Sequence, residues 1–587
     1  MRKQSYRLLI FALIGMLMYS CQDEDDFVTE ENSTIEQQAP ESAMKLWKKL
    51  ENPYSVANMQ RAMDTILKEV KKSKNYQAKS FQKSAEQIEI EETDLYVRFL
   101  PKDSLELNII EKDTALVLFD YPLDYEIERE GEYYHDPDLP EDQISWRYAV
   151  VKPDYQFPKV KYEILSHLFI PENSEGYREE DENAQGKTAY SKTSSLISLE
   201  TVSLYLTNNL SKEEKTAIEK EKKKNLQAKR VCVWFICWNV PDRWNPSGTI
   251  KLWDDRLNRY NRMQGVKVRA RRWFTVKTGI TNSDGYFRTG SFRRPANYSI
   301  RWQRHHFSVK WSWWLFWSST AWYNGPKQKS PWNLNIRGGT QQYYATIFQA
   351  AHDYYYRHNY GLTKPSNSGG FWKLRIRARK VNGRSSHAEA RRLYNWADIS
   401  LKAWGDASDL VYGTTIHELA HAAHKNIDRG AYVNLTWKGW ISPCLPSAES
   451  CDHPGPTGAS ARRVMETWAT TVEIVLTNLR YRSYLSDNNF TYGQWENSQN
   501  KQNWPSRLQP YYTSLGYDLI DDINQRTDIT PTYSGLYPQD RVSGYTIKQI
   551  ENSLRNTNSW GEWKEHIKQQ NSSNPTNIYI NELFNNW

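Results

Sequence analysis

The spacing of apolar positions changes several times along the chain, and each change marks a different kind of element. Between 41 and 74, Met44, Trp47, Leu50, Met59, Met63, Ile66, Leu67 and Val70 recur every three or four residues, predicting two helices broken near Asn52 and Pro53. From 93 to 170, short apolar runs such as Leu95–Leu100 and Ala115–Phe119 stand between Pro, Gly and Asp clusters and read as strands with loops. Ser211 and Glu214 have capping-box spacing and open a very polar helix to about Arg230, whose Lys and Glu residues form a solvated face. Between about 230 and 338 the signal is β: Gly265–Ala270 alternates with period two, and Asp284-Gly285 supplies a tight turn ahead of a strand at Tyr286. Beyond Thr340 it becomes helical, with Tyr343, Ile347, Ala350, Ala351 and Tyr354 on one face of a helix reaching about His358. Phe371–Ala378 then alternates like a strand, and Ala388 toward Trp404 reads as helix. Thr414–His424 and Val464–Glu473 are further helices, followed by Leu519–Gln525, Ile547–Leu554 and Trp560–Gln569.

A chain of 587 residues exceeds what one hydrophobic core supports, so several domains are expected. The fold class is α+β multidomain, with a helical arm at 41–80, a mixed α/β domain at 90–210, a helical connector at 211–230, a β-sandwich at 231–338 and a C-terminal domain at 340–587. Hydrophobic residues at 39%, with 25 Trp and 38 Tyr, indicate large aromatic cores and exclude a disordered chain. The net charge of +8 is modest and spread through the sequence, so no nucleic acid partner is expected. Trp302, Trp311, Trp313, Trp314, Trp317, Trp322 and Trp332 lie among Arg301, Arg304, Lys310 and Lys327. Sandwich core plus a domain interface accounts for them; a glycan- or polyanion-binding surface is the alternative.

The N-terminus carries a different signal. Arg2 and Lys3 precede an apolar run from Leu8 to Met18, too short to cross a membrane and of signal-peptide length. Leu17–Cys21 resembles a lipobox, which implies a signal peptide at 1–20, a lipidated Cys21 and a membrane tether at 21–40. The acidic run Asp23–Asp26 resembles the surface-export signals of some Gram-negative lipoproteins, implying an outer-membrane, surface-exposed location. The remaining cysteines form two close pairs, Cys232 with Cys237 and Cys444 with Cys451, and are disulfide candidates without CxxC spacing.

The chemistry is concentrated at His417, Glu418 and His421, an HExxH motif on the helix Thr414–His424, with Thr414 and Thr415 available as caps. Histidines four apart on a helix share one face and converge on one zinc ion, while Glu418 is offset to act on a water as general base. A third protein ligand is needed. His424 sits about 4.5 Å further along the axis than His421, at about 1.5 Å per residue, so a supporting or packed role suits it better. His424 and Ile427 occupy the positions where metzincins carry a glycine and a third histidine, which excludes that family.

Met465-Glu466 and Glu473 resemble the gluzincin pattern, in which a glutamate near the start of a later helix completes the zinc site. That resemblance implies a zincin fold, one Zn2+ held by His417, His421 and Glu466, a supporting carboxylate at Glu473, and hydrolysis of polypeptide substrates. Met465 stands where the family carries Asn, and the 44 residues between His421 and Glu466 exceed the usual spacing; an insertion carrying the Cys444–Cys451 loop accounts for the excess. Rival ligands are Glu449, at the spacing of enhancin-like mucin-cleaving peptidases, and Asp452, by likeness to deuterolysin-like enzymes sharing the Gly413-Thr414 lead-in. Tyr511, Tyr512, Tyr517, Tyr533 and His453 are candidate oxyanion donors. The strand at Gly265 and the turn Thr281–Phe287 resemble a carboxypeptidase-regulatory or transthyretin-like β-sandwich, implying a structural or binding spacer. The function expected is a zinc-dependent peptidase acting on extracellular protein or glycoprotein; the alternative is an inactive surface binding protein or adhesin working through the sandwich.

Overall fold

The computed structural model describes residues 43–72, 76–178, 191–227, 241–314, 317–365, 373–383, 385–387, 398–444, 454–482, 511, 513–528 and 539–587. It is an α+β protein of several layers. Cys21, Cys232, Cys237, Glu449, Cys451, Asp452, His453, Tyr512 and Tyr533 lie outside the described residues.

Helix and antiparallel sheet share the N-terminal region. Ser55 caps the helix Val56–Lys71, its Oγ accepting from Asn58 N at 3.2 Å. Met59, Met63 and Ile66 on the buried face pack against Leu196, Leu199 and Val202 of the helix Lys192–Leu206. The strand Asp94–Leu100 is central, with Arg147–Val151 and Lys161–Leu168 antiparallel on its two sides. One expectation fails here: the segment through Met44, Trp47 and Leu50 is not a helix. Lys45–Lys49 is a strand paired with Tyr125–Arg129, and Trp47 stays 63% exposed. Pro53 follows too closely for a stable helix, whereas an edge strand satisfies the backbone at once. At 211 the structure matches the sequence: Glu214 N donates to Ser211 Oγ at 3.1 Å and Ser211 N to the Glu214 carboxylate at 3.2 Å, opening the helix Lys212–Gln227.

Residues 247–336 hold two four-stranded sheets. In one, Ser247–Asp254 lies between Tyr286–Arg288 and Leu334–Ile336 and also pairs with Arg259–Arg262; in the other the order is Trp322–Gln328, Ala296–Arg301, Lys267–Arg272, Thr275–Ile280. Asn282 Oδ1 accepts from the amides of Asp284 and Tyr286 in the turn expected there, and Gly285 takes a φ of +71°. Trp302, Trp322 and Trp332 are buried, as core and interface residues.

A third sheet runs Trp317–Thr320, Phe307–Trp314, Leu374–Ala378, Ile399–Leu401, Ser386–His387, with its three central strands parallel. Phe307–Trp314 therefore pairs across the boundary expected at 338–340, and Trp317–Thr320 extends the same sheet beside it. Ile399–Leu401 is a strand where a helix was expected: it is buried on both faces, and parallel pairing with Ile376–Ala378 overrides its local preference. Val309 and Ile376 face the helices Gly339–Tyr356 and Ser408–Ile427, while Ser308, Lys310, Arg375 and Arg377, by period two, face the other way. At the C-terminal end, Leu519–Gln525 is not one helix but two short turns, Leu515–Asp518 and Gln525–Asp528. The Asp521 and Asn524 side chains accept from the amides of Ile523 and Arg526 and stop the helix between them.

A buried charge cluster ties these layers together. Arg480, on the helix Gly455–Arg482, lies 3.4 Å from Asp254 of the strand Ser247–Asp254 and 3.3 Å from Asp353 of the helix Gly339–Tyr356. Tyr481 and Tyr412 donate their hydroxyls to the same two carboxylates at 3.1 and 3.2 Å. Replacing Arg480 with Met leaves both carboxylates buried without their shared cation, so we expect a loss of about 3–5 kcal/mol, read as a lower urea unfolding midpoint. A change within 0.5 kcal/mol, roughly that of an ordinary surface substitution, would show the cluster to be dispensable.

Candidate metal centre

The motif helix runs from Ser408 to Ile427, longer at its start than the sequence suggested. Thr414 and Thr415 are therefore interior residues, not caps: Thr415 Oγ1 donates back to Val411 O at 2.7 Å, and the hydroxyl of Ser408 at the true start donates to Asp255. Leu419, Ala420 and Ala423 are fully or nearly fully buried, so the helix is central to the core rather than surface amphipathic.

His417 and His421 project from it toward the helix Gly455–Arg482, which carries Glu466 in its middle rather than near its start. All three are buried, at 7%, 7% and 4% exposure. His417 Nε2 and His421 Nε2 are 3.2 Å apart, and each is 3.2 Å from Glu466 Oε2. Three potential ligand atoms thus form an equilateral triangle. Tetrahedral ligands about 2.0 Å from an ion stand roughly 3.3 Å from one another. The triangle matches one face of such a tetrahedron and leaves the fourth vertex open. Among the described residues this is the one group of three that could hold a metal ion.

Glu473, two turns beyond Glu466, completes the arrangement. Its Oε2 is 3.0 Å from His417 Nδ1, so the N–H sits on Nδ1 and the Nε2 lone pair faces the triangle. Without an ion the balance is different. Burial disfavours a charged His417, but hydrogen bonds to Glu466 and Glu473 and the charge of both carboxylates outweigh it and push the imidazole up to about 10. Burial likewise works against the Glu466 carboxylate, yet His421 and His417 hold it well below the usual range. A cation at the triangle would displace the proton that these shifts retain. Glu418, 4% exposed, follows His417 on the same helix, offset by about 100°.

Other expected residues are not brought together. His424 is fully buried, lies edge-to-face on Tyr432 at 5.3 Å and has no hydrogen-bond partner among the described residues. Burial, with His421 nearby, pushes it down to about 3, making it a neutral packed ring. The hydroxyl of Tyr517 receives Asn478 at 3.5 Å, and the Tyr511 ring lies under Arg462 at 5.3 Å, which ties both to packing. Cys444 ends the short turn Ser442–Cys444. Sequence reasoning missed Arg480 and Asp353, although a signal was present: Glu466, Glu473 and Arg480 recur every seven residues on one face of a helix.

No protein-family model matches the chain, and no curated protein matches it either. The site must be argued from its geometry. Measured by elemental mass spectrometry, bound metal should be lost on Glu466→Gln and its affinity should fall roughly 10- to 100-fold on Glu473→Gln. His424→Leu should leave metal content unchanged, and retention of full occupancy by Glu466→Gln would remove Glu466 from the ligand set.

Proposed function

We propose that the protein is a zinc-dependent peptidase of gluzincin type, on the single observation that His417 Nε2, His421 Nε2 and Glu466 Oε2 form a buried triangle 3.2 Å on each side. Two imidazoles and one carboxylate with an open fourth position are the ligand set of catalytic zinc, whereas calcium and magnesium favour all-oxygen shells. Zinc bound there would supply Lewis acidity, polarising the scissile carbonyl and acidifying water at the open vertex.

The chain's own residues account for the rest of the chemistry. Glu418 takes the proton from the attacking water and returns it to the leaving amine, so no net charge accumulates. Glu473 holds the His417 ring in the tautomer whose Nε2 points inward. Deep burial of the triangle keeps the local dielectric low, which strengthens the pull on the carbonyl oxygen.

The same reading makes residues 340–587, with the strands Phe307–Trp314 and Trp317–Thr320, a zincin-like domain, and the rest of 231–338 a carboxypeptidase-regulatory-like sandwich. With a lipidated Cys21 the enzyme would sit on the bacterial surface and act on extracellular protein or glycoprotein. No described helix is long and apolar enough to cross a membrane.

The test is proteolysis of a diverse peptide library by the full chain and by Glu418→Gln. Glu418→Gln should retain stoichiometric zinc and lose roughly 10²- to 10⁴-fold in cleavage rate. Zinc binding with no Glu418-dependent cleavage by the wild type would instead favour a surface binding protein.

A further inference from the structure

A cavity lies where the N-terminal region meets the sheet that contains Lys267–Arg272. Tyr54, Ile170, Ile197 and Glu200 line it from the N-terminal region, and Arg272 and Phe292 from the other side. Ile197 and Glu200 stand three apart on the helix Lys192–Leu206 and so share one face. Arg272 ends its strand, where a tight turn leads to its cross-strand partner Thr275. Trp273 in that turn takes a φ of +50°, a conformation that is costly for a bulky residue and persists only where the surroundings impose it.

Neighbouring charges are matched. Arg243 and Lys277 hold Glu172 at 3.0 and 3.2 Å, and Arg294 lies 2.8 Å from Glu214 and donates to Thr201 at 3.2 Å. Arg272 and Glu200 are different. Both are partly buried, and both line the same space without pairing with each other. The Nε and Nη2 of Arg272, the two donors along one edge of its guanidinium, are enclosed with no hydrogen-bond partner among the described residues. Glu200 accepts from the Tyr54 hydroxyl and pairs with no described cation. Burial, with Glu200 beside it, pushes the Tyr54 hydroxyl well above its usual range, while Arg272 pulls the other way. Tyr54 therefore stays a neutral donor in the field of both charges.

We propose that this cavity binds the head group of a small free α-amino acid, its carboxylate on the Nε–Nη2 edge of Arg272 and its ammonium on Glu200. A guanidinium edge meets a carboxylate through two parallel hydrogen bonds. A ligand carrying both charges satisfies both residues, whereas a simple anion would face Glu200 and a simple cation would face Arg272. The space agrees. It amounts to about 30 Å³, where one water takes roughly 10–15 Å³, so it holds two or three water-sized groups. Two carboxylate oxygens and one ammonium need that much. Ile197 and Phe292 offer an apolar wall to a short side chain.

The site is independent of the peptidase reading, and its test uses the full chain with no peptide added. Equilibrium dialysis with radiolabelled alanine and valine measures binding, and propionate and ethylamine compete as alanine without its ammonium and without its carboxylate. One amino acid per chain should bind, and Arg272→Gln and Glu200→Gln should each weaken binding roughly 10- to 100-fold while zinc content is unchanged. Each analogue should compete at least about ten-fold less well than alanine. That comparison is made on the wild type, so it stands even where a substitution unfolds the chain. No saturable binding of either amino acid up to about 10 mM, or undiminished binding by both variants, would overturn the proposal. Propionate competing as well as alanine would overturn it too, by reducing the cavity to an anion site.

Discussion

Three lone-pair-bearing atoms cannot face one another 3.2 Å apart in a buried site unless a proton or a cation stands between them. That constraint governs the rest of the structure. It requires the helices Ser408–Ile427 and Gly455–Arg482 to approach closely with their polar faces turned inward, against the normal tendency of a core to exclude such groups. The apolar sides of the same helices supply the opposing stabilisation: Leu419, Ala420, Val464, Ala469 and Val472 all belong to the main core. Small residues near the motif matter as much as large ones, because Ala420 and Ala423 let the partners approach.

Legibility in the sequence followed the range of the determining interactions. His417, His421 and Glu418 are set by spacing within one helix, and Glu466 with Glu473 by spacing within another, so both halves of the triangle could be read locally. The Asp284-Gly285 turn and the Ser211–Glu214 capping box are also local, and both stand as expected. Two of the failures depended on pairing at a distance. Lys45–Lys49 is a strand because Tyr125–Arg129 lies beside it, and Ile399–Leu401 because Leu374–Ala378 does. Neither partner can be inferred from the segment itself. The domain boundary near 338 was obscured for the same reason, since Phe307–Trp314 looks like a continuation of the sandwich until its parallel partner Leu374–Ala378 is seen.

Electrostatics is used in two contrasting ways. At the candidate metal centre, carboxylates are matched to imidazoles within 3.2 Å, and Asp254 and Asp353 are matched to Arg480 at similar range. Along the seam with the N-terminal region, Arg269 and Arg271 are instead covered by backbone carbonyls. Carbonyl dipoles satisfy the hydrogen-bond geometry of a guanidinium without cancelling its charge.

The heptad of Glu466, Glu473 and Arg480 joins these themes. A seven-residue step returns to nearly the same face of a helix, so one side of Gly455–Arg482 presents the Glu466 corner of the triangle, the Glu473 carboxylate that orients His417 and the anchor to two other layers. Rotation or slippage of this helix would therefore disturb all three together. Arg480 grips Asp254 of the strand Ser247–Asp254, so that strand helps fix the axial position from which Glu466 reaches the triangle. Tyr412 ties the motif helix to Asp353, the other carboxylate that Arg480 holds. The two helices that bring His417, His421 and Glu466 to within 3.2 Å are thus held by a shared ion cluster at the far end, and the strand Ser247–Asp254 is part of what positions the triangle.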